Sequence, residues 1–155
     1  MGEDWNKIGC TACDKGVPVY AVSNGIVKYA DFPNTAYGNL VLIQHDVRQE
    51  IKFSLPGGGS TSTVWSLYEH MATISNNPRT GQKWKKGNII YRGEQVGTIG
   101  DAPTDSNTNY HLHFEIRQTD LTATSFDCKL YKPTYVDNNY LNPTAFIKLN
   151  RPENP

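Results

Sequence analysis

The chain has 155 residues, enough for one domain with a real core, and its 15 basic and 15 acidic residues cancel at pH 7. That balance removes the electrostatic case for nucleic acid or an anionic membrane surface as partner, and no run approaches the roughly 18–20 apolar residues of a membrane span. Nine Tyr, three Trp, thirteen Gly and nine Pro, with few long helix-forming runs, predict an all-β domain rich in turns over residues 1–155, whose neutrality suits a peptide or sugar polymer as substrate.

Residues 1–16 lack periodicity and read as an N-terminal loop; Met1 runs straight into polar residues, so the chain is either cytosolic or begins downstream of a targeting segment. Cys10 and Cys13 have metal-knuckle or redox spacing, but Cys128 is the only other cysteine, so a structural cystine or free thiols are expected ahead of a redox pair. The β-rich runs 17–21 and 25–30, split by Ser23-Asn24-Gly25, predict a hairpin. Residues 38–45 are apolar and β-branched, as in a central strand, and 47–55 predict its antiparallel return. Glycines mark 56–62 as a loop before the strand 64–71, where Tyr68 and His70 are expected to share a face and His70 to emerge at the strand end. A second loop (75–86), two short β runs (88–91 and 94–99) and a third loop (101–109) lead into residues 110–116. Residues 126–136 predict an edge strand or hairpin, Asn142-Pro143 caps a short closing helix, and 150–155 form a tail.

The run Tyr110-His111-Leu112-His113-Phe114-Glu115-Ile116 sets two of the four histidines two residues apart in a strand-like stretch, so both rings face the same way. Two solvated strand histidines are the plain reading; zinc ligation or proton transfer is the chemical one. A hydrolytic zinc site needs about three nitrogen or oxygen ligands and an open position for water, with further groups to move protons and stabilise the oxyanion. His111, His113, His70 and a carboxylate would supply these parts if the chain brings them together.

An ordered set of motifs runs from Gly2 to about Ile147. Gly2-Glu3-Asp4 is followed by Gly16-Val17-Pro18-Val19-Tyr20-Ala21 with Gly25-Ile26-Val27, and by Tyr37-Gly38-Asn39 leading to Ile43-Gln44-His45. Tyr68-Glu69-His70-Met71, residues 92–100 and His111-Leu112-His113-Phe114-Glu115 complete it. The set resembles the lysostaphin and LytM type of zinc metallopeptidase, family M23, which cuts peptide cross-links in bacterial cell walls. The resemblance implies an antiparallel duplicated-hybrid-motif sheet with a central groove, Zn as cofactor, Asp4 and His113 as zinc ligands, and His70 and His111 as the catalytic groups that handle water and the tetrahedral intermediate. It also implies a peptidoglycan stem peptide or cross-bridge as partner, a monomer, and an extracytoplasmic location. His45 is expected to be structural, and Glu115 is either an acceptor orienting one ring or a solvated strand glutamate. Specificity would rest on loops 56–62, 74–86 and 101–110, with Trp65 and Tyr110 as contacts.

One departure stands out. The family's first ligand, a histidine four residues before Asp4, falls one position before Met1, so a cut inside the motif is expected and, without that residue, weak zinc binding. Three other classes compete. An inactive relative that binds peptidoglycan or activates another wall hydrolase would keep the fold but usually loses several site residues. A lipoyl- or biotinyl-type carrier would need a lysine at a hairpin tip, a context that neither Lys28 nor Lys52 offers. A sugar-transport phosphocarrier with paired histidines would not require Asp4 or His70.

Overall fold

The computed structural model describes residues 2–6, 13–35, 37–47, 51–100, 110–120 and 139–151. Its strands are β1 (Glu3–Trp5), β2 (Pro18–Tyr20), β3 (Gly25–Asn34), β4 (Gly38–Asp46), β5 (Phe53–Ser54), β6 (Ser60–Thr61), β7 (Thr63–Ile74), β8 (Ile89–Ile90), β9 (Gln95–Ile99), β10 (Leu112–Arg117) and β11 (Tyr140–Leu141). Nine of them form one sheet, ordered β1-β10-β7-β4-β3-β8, with β11 on β10 and β9 joining β2 to β7. β5 and β6 make a separate two-stranded ribbon. The expected all-β antiparallel architecture with one short closing helix is present.

β7 is the axis of the sheet. Its 12 residues pair with β10 on one side and β4 on the other, and its run from Val64 to Glu69 is buried on both faces apart from Trp65. Register separates two faces. Val41, Tyr68 and Phe114 align on one, where they join the main core with Ile43, Ile116 and Phe146. Leu42, Leu67 and Glu115 align on the other, where Leu40, Leu42 and Leu67 form a smaller cluster with Tyr29, Tyr37 and Trp65. Each fully buried aliphatic or aromatic side chain in these clusters contributes about 1.5–3 kcal/mol.

The helix Pro143–Asn150 starts where its local chemistry dictates: the Asn142 side chain accepts from Ala145 N at 2.7 Å and proline occupies the first turn. Eight residues are too few to hold a helix alone. Packing holds it, through buried Phe146, whose ring lies 5.6 Å from that of Phe53.

Local signals misassigned several partners. Residues 17–21 and 25–30 do not form a hairpin, because β2 pairs with β9 while β3 pairs with β4 and β8. The return of β4 is not in 47–55 either; its neighbours are β3 and β7, and Phe53–Ser54 pairs with Ser60–Thr61 across the loop of Gly57, Gly58 and Gly59, all at positive φ. The N-terminal loop contains a strand, β1, too short to show periodicity. The loop 101–109, the run 126–136, Met1, Cys10, Cys128 and the tail beyond 151 lie outside the described residues. Cys13 is disulfide-bonded, which settles cystine over free thiol at that position.

Candidate metal centre

Register assembles the site. Asp4 on β1, His113 on β10 and Glu69 on β7 pair directly as one rung across three strands, and directly paired residues share a face. Period two along β10 puts Glu115 and Arg117 on that face as well. Asp4 Oδ1 lies 2.7 Å from His113 Nδ1, and Glu115 Oε1 lies 3.0 Å from His113 Nε2.

Two residues of no obvious chemical interest bring Asp4 to this point. β1 passes so near β10 that a Cβ on Gly2 would lie 2.6 Å from Glu115 Cγ and 2.7 Å from both His113 Nε2 and Phe114 O, so the approach requires glycine. Glu3 points to the other face and anchors the strand: Thr144 Oγ1 (2.6 Å) and Trp5 Nε1 (2.8 Å) donate to one carboxylate oxygen, and Asn142 Nδ2 (2.8 Å) to the other. β1 is thereby tied to the start of the closing helix.

His70 reaches the site by a break in regular geometry. It lies inside β7, four residues before the strand's end at Ile74, and its φ of 58° is the one positive value among the described non-glycine residues. The β4–β7 register slips between Asn39 and Val41, so Glu69 and His70 together occupy a bulge. The expected sharing of a face by Tyr68 and His70 therefore fails: Tyr68 enters the core, and His70 turns toward His111 and His113. Its ring centroid is 5.0 Å from that of His111 and 5.9 Å from that of His113. His111 immediately precedes β10 and sets Nε2 3.8 Å from Asp4 Oδ1. All four sequence-predicted site residues thus meet at one place.

Beneath them lies a charged layer. Arg117, 1% exposed, donates from Nε to Glu115 Oε2 at 2.5 Å, places Nη2 at the same distance from that oxygen, and stacks 5.2 Å from the Tyr140 ring. Burial would raise the Glu115 carboxyl, but its hydrogen bond to His113 and the Arg117 charge hold it below the usual carboxylate range. Glu69 goes the other way: burial and the Glu115 charge push it up to about 7, against the pull of His113 and Arg117. Burial disfavours the His113 cation, yet the Glu115 hydrogen bond and the Glu69 charge raise it to about 9. Burial first, then the neighbouring His111 and His113, lower His70 to about 4, so its ring is neutral at pH 7; its Nδ1 is buried without a hydrogen-bond partner among the described residues.

The donor set can be tested against zinc. In a neutral His113 ring, the Glu115 carboxylate requires the proton on Nε2, leaving the Nδ1 lone pair toward Asp4, which is the tautomer a Nδ1 ligand needs. Two tetrahedral ligands at 2.0–2.1 Å from zinc stand about 3.3 Å apart, so Asp4 and His113 would separate by roughly half an ångström to admit it. They supply two donors where a catalytic site uses three, and no group of three or more His, Cys, Asp or Glu placed to hold a metal occurs among the described residues. The set as described does not complete a zinc site.

Two buried members of the site escaped the sequence reading. Glu69 and Arg117 look like ordinary polar breaks in apolar runs, although alternation from His113 through Glu115 to Arg117 carried the signal for the second. Glu115 is 5% exposed and oriented toward His113, not a solvated strand residue. His45 is buried away from the histidine cluster, with Nδ1 2.8 Å from Asn24 O and Nε2 2.7 Å from Ser66 Oγ, a structural arrangement. Trp65 packs against the cluster of Leu40, Leu42 and Leu67, and the Tyr110 ring lies 5.2 Å from Lys15 Nζ.

Comparison with known proteins identifies the family of this fold. The model of peptidase family M23 matches residues 9–127. The chain is 29% identical over 106 residues to lipoprotein NlpD of Yersinia enterocolitica, across 68% of this chain and 82% of that protein. Its fold is similar to that of the catalytic domain of the antimicrobial peptidase lysostaphin from Staphylococcus simulans, with a TM-score of 0.53 and 19% identity over 86% of this chain and 72% of that one. It is likewise similar to the catalytic domain of the prophage-encoded M23 protein EnpA from Enterococcus faecalis, with a TM-score of 0.50 and 20% identity over the same shares, 86% and 72%. The family match spans well over half of the 155 residues and contains His70, His111 and His113. The chain belongs to peptidase family M23.

Proposed function

We propose that this chain is a peptidoglycan-directed M23 domain that holds a wall peptide against the His70–His111–His113 face and, with Asp4 and His113 as its metal donors, does not hydrolyse it unaided. The supporting observation is the Asp4–His113 pair, 2.7 Å apart and with no third donor among the described residues. A zinc ion held by two protein ligands dissociates readily, whereas the face around it still offers a neutral His70, the Asp4 carboxylate and a half-buried aromatic flank of Tyr29, Tyr37 and Trp65 to a peptide. Such a domain would bind the wall itself or support another hydrolase there. Location outside the cytoplasmic membrane follows from that partner, and the similarity to a lipoprotein supports it. A monomer suffices, since every group in the reading comes from one chain.

Co-sedimentation with purified cell-wall sacculi tests this, with released peptide amines measured in the same tube. The chain is expected in the pellet with no new amines above background. Absence from the pellet overturns the binding reading, and zinc-dependent release by the unaltered chain overturns its inactivity.

A second reading is zinc endopeptidase activity, favoured by the convergence of His70 and His111 on the Asp4–His113 pair. It applies if a third donor joins that pair.

A further inference from the structure

We propose a second binding site, on the opposite face of the sheet from the histidines, that takes the C-terminal carboxylate of a short peptide with a small apolar end. A cavity of about 310 Å³ lies between the closing helix and the core face of the sheet. Ile116 lines it, and strand alternation points Ile116 away from the face of Glu115 and Arg117, so the cavity is separated from the metal centre by the thickness of the sheet. Its walls are apolar, chiefly Val22, Val64, Phe53 and Phe146.

The polar groups of the lining divide sharply. His45 has both ring nitrogens engaged, by Asn24 O and Ser66 Oγ. The Asn150 amide is engaged too, donating to Ser54 O and Phe146 O and accepting from Ser54 N. The Ser23 hydroxyl and the guanidinium groups of Arg92 and Arg151 are left, and only the last two carry charge. Arg79 and Arg117 each hold a glutamate, whereas Arg92 and Arg151, both exposed at this cavity, have no carboxylate partner among the described residues. Among the described residues, no acidic one lines the cavity. An apolar slot flanked by two arginines that no described carboxylate pairs with complements a group that is apolar at one end and anionic at the other. The volume sets its size: about 310 Å³ is near the lower end of ligand pockets, roughly 300–1,000 Å³, which admits one or two small residues and excludes a long acyl chain. The site is independent of the reading of the histidine face.

Titration of the full chain with N-acetyl-alanyl-alanine, followed by amide chemical shifts, tests the assignment. The free acid is expected to bind with shifts at Val22, Ile116 and Ile147, and its C-terminal amide to bind at least about 10-fold more weakly, since charge-assisted hydrogen bonds carry the recognition. Arg92→Gln and Arg151→Gln should each weaken the acid by about 10-fold while leaving the urea midpoint unchanged, because both side chains are exposed. Equal binding of acid and amide, equal binding of inorganic phosphate, shifts centred on His113, or no saturable shift would each overturn the proposal.

Discussion

Replacing Glu69 with Gln should make the protein more stable, and only at high pH. Glu69 is 5% exposed, paired across the sheet with His113, and shares its face with the Glu115 carboxylate. Its folded-state pKa of about 7 exceeds the ordinary 4.5, so the folded chain binds more protons than the unfolded one between those values. Stability is therefore present below the unfolded value and lost as pH rises through about 7. At about 1.4 kcal/mol per unit, the rise from 4.5 to about 7 sets a ceiling near 3 kcal/mol for the cost of keeping this carboxylate ionised. That ceiling already contains the attraction of the ionised group to His113 and Arg117; relaxation of the sheet and water entry around the charge lower the realised cost further, and Gln keeps the shape while removing the charge, so Glu69→Gln should gain roughly 1–2 kcal/mol at pH 8 and under about 0.5 kcal/mol at pH 5. Urea unfolding of both proteins at the two pH values measures it. A gain of equal size at pH 5 and pH 8, or a loss at pH 8, would refute the electrostatic account of this layer.

Three further outcomes can be checked by the same unfolding assay. Gly2→Ala should destabilise by roughly 1–3 kcal/mol, because the new methyl meets the Phe114 carbonyl at 2.7 Å and backbone cannot yield as a side chain can; its amide spectrum should show β1 displaced. Asn142→Ala removes both the cap of the closing helix and a donor to Glu3, and should cost about 1–2 kcal/mol with faster hydrogen exchange at Ala145. Tyr68→Phe strips the hydroxyl that accepts from Val22 N at 3.1 Å in a fully buried position, and a loss of roughly 1–3 kcal/mol is expected, with an unchanged midpoint contradicting that bond's role.

Much of the site was legible because it is written locally. His111-Leu112-His113 and the residues around His70 are short motifs, and Asn142-Pro143 states a helix start in two residues. What failed was pairing. Ser23-Asn24-Gly25 turns the chain whether or not the flanking strands bond to each other, and here they diverge, β2 to β9 and β3 to β4. The bulge at His70 left no trace either, since a left-handed backbone conformation is announced by glycine, and here a histidine adopts it. The charged layer of Glu69, Glu115 and Arg117 depends on three strands meeting in one register, which no single segment specifies. Gly2 and Glu3 show the same limit: one is defined by what its missing Cβ would strike, the other by partners about 140 residues away.

The central claim is that Asp4 and His113 are two parts of a zinc site that needs a third. Zinc bound per chain, measured by elemental analysis after equilibrium dialysis against low-micromolar zinc, tests it when the 155-residue chain is run beside a version with one histidine added directly before Met1. The account predicts well under one zinc for the 155-residue chain and one for the extended chain, with release of wall peptides in the extended chain alone. One zinc held equally by both, or by neither, would contradict it.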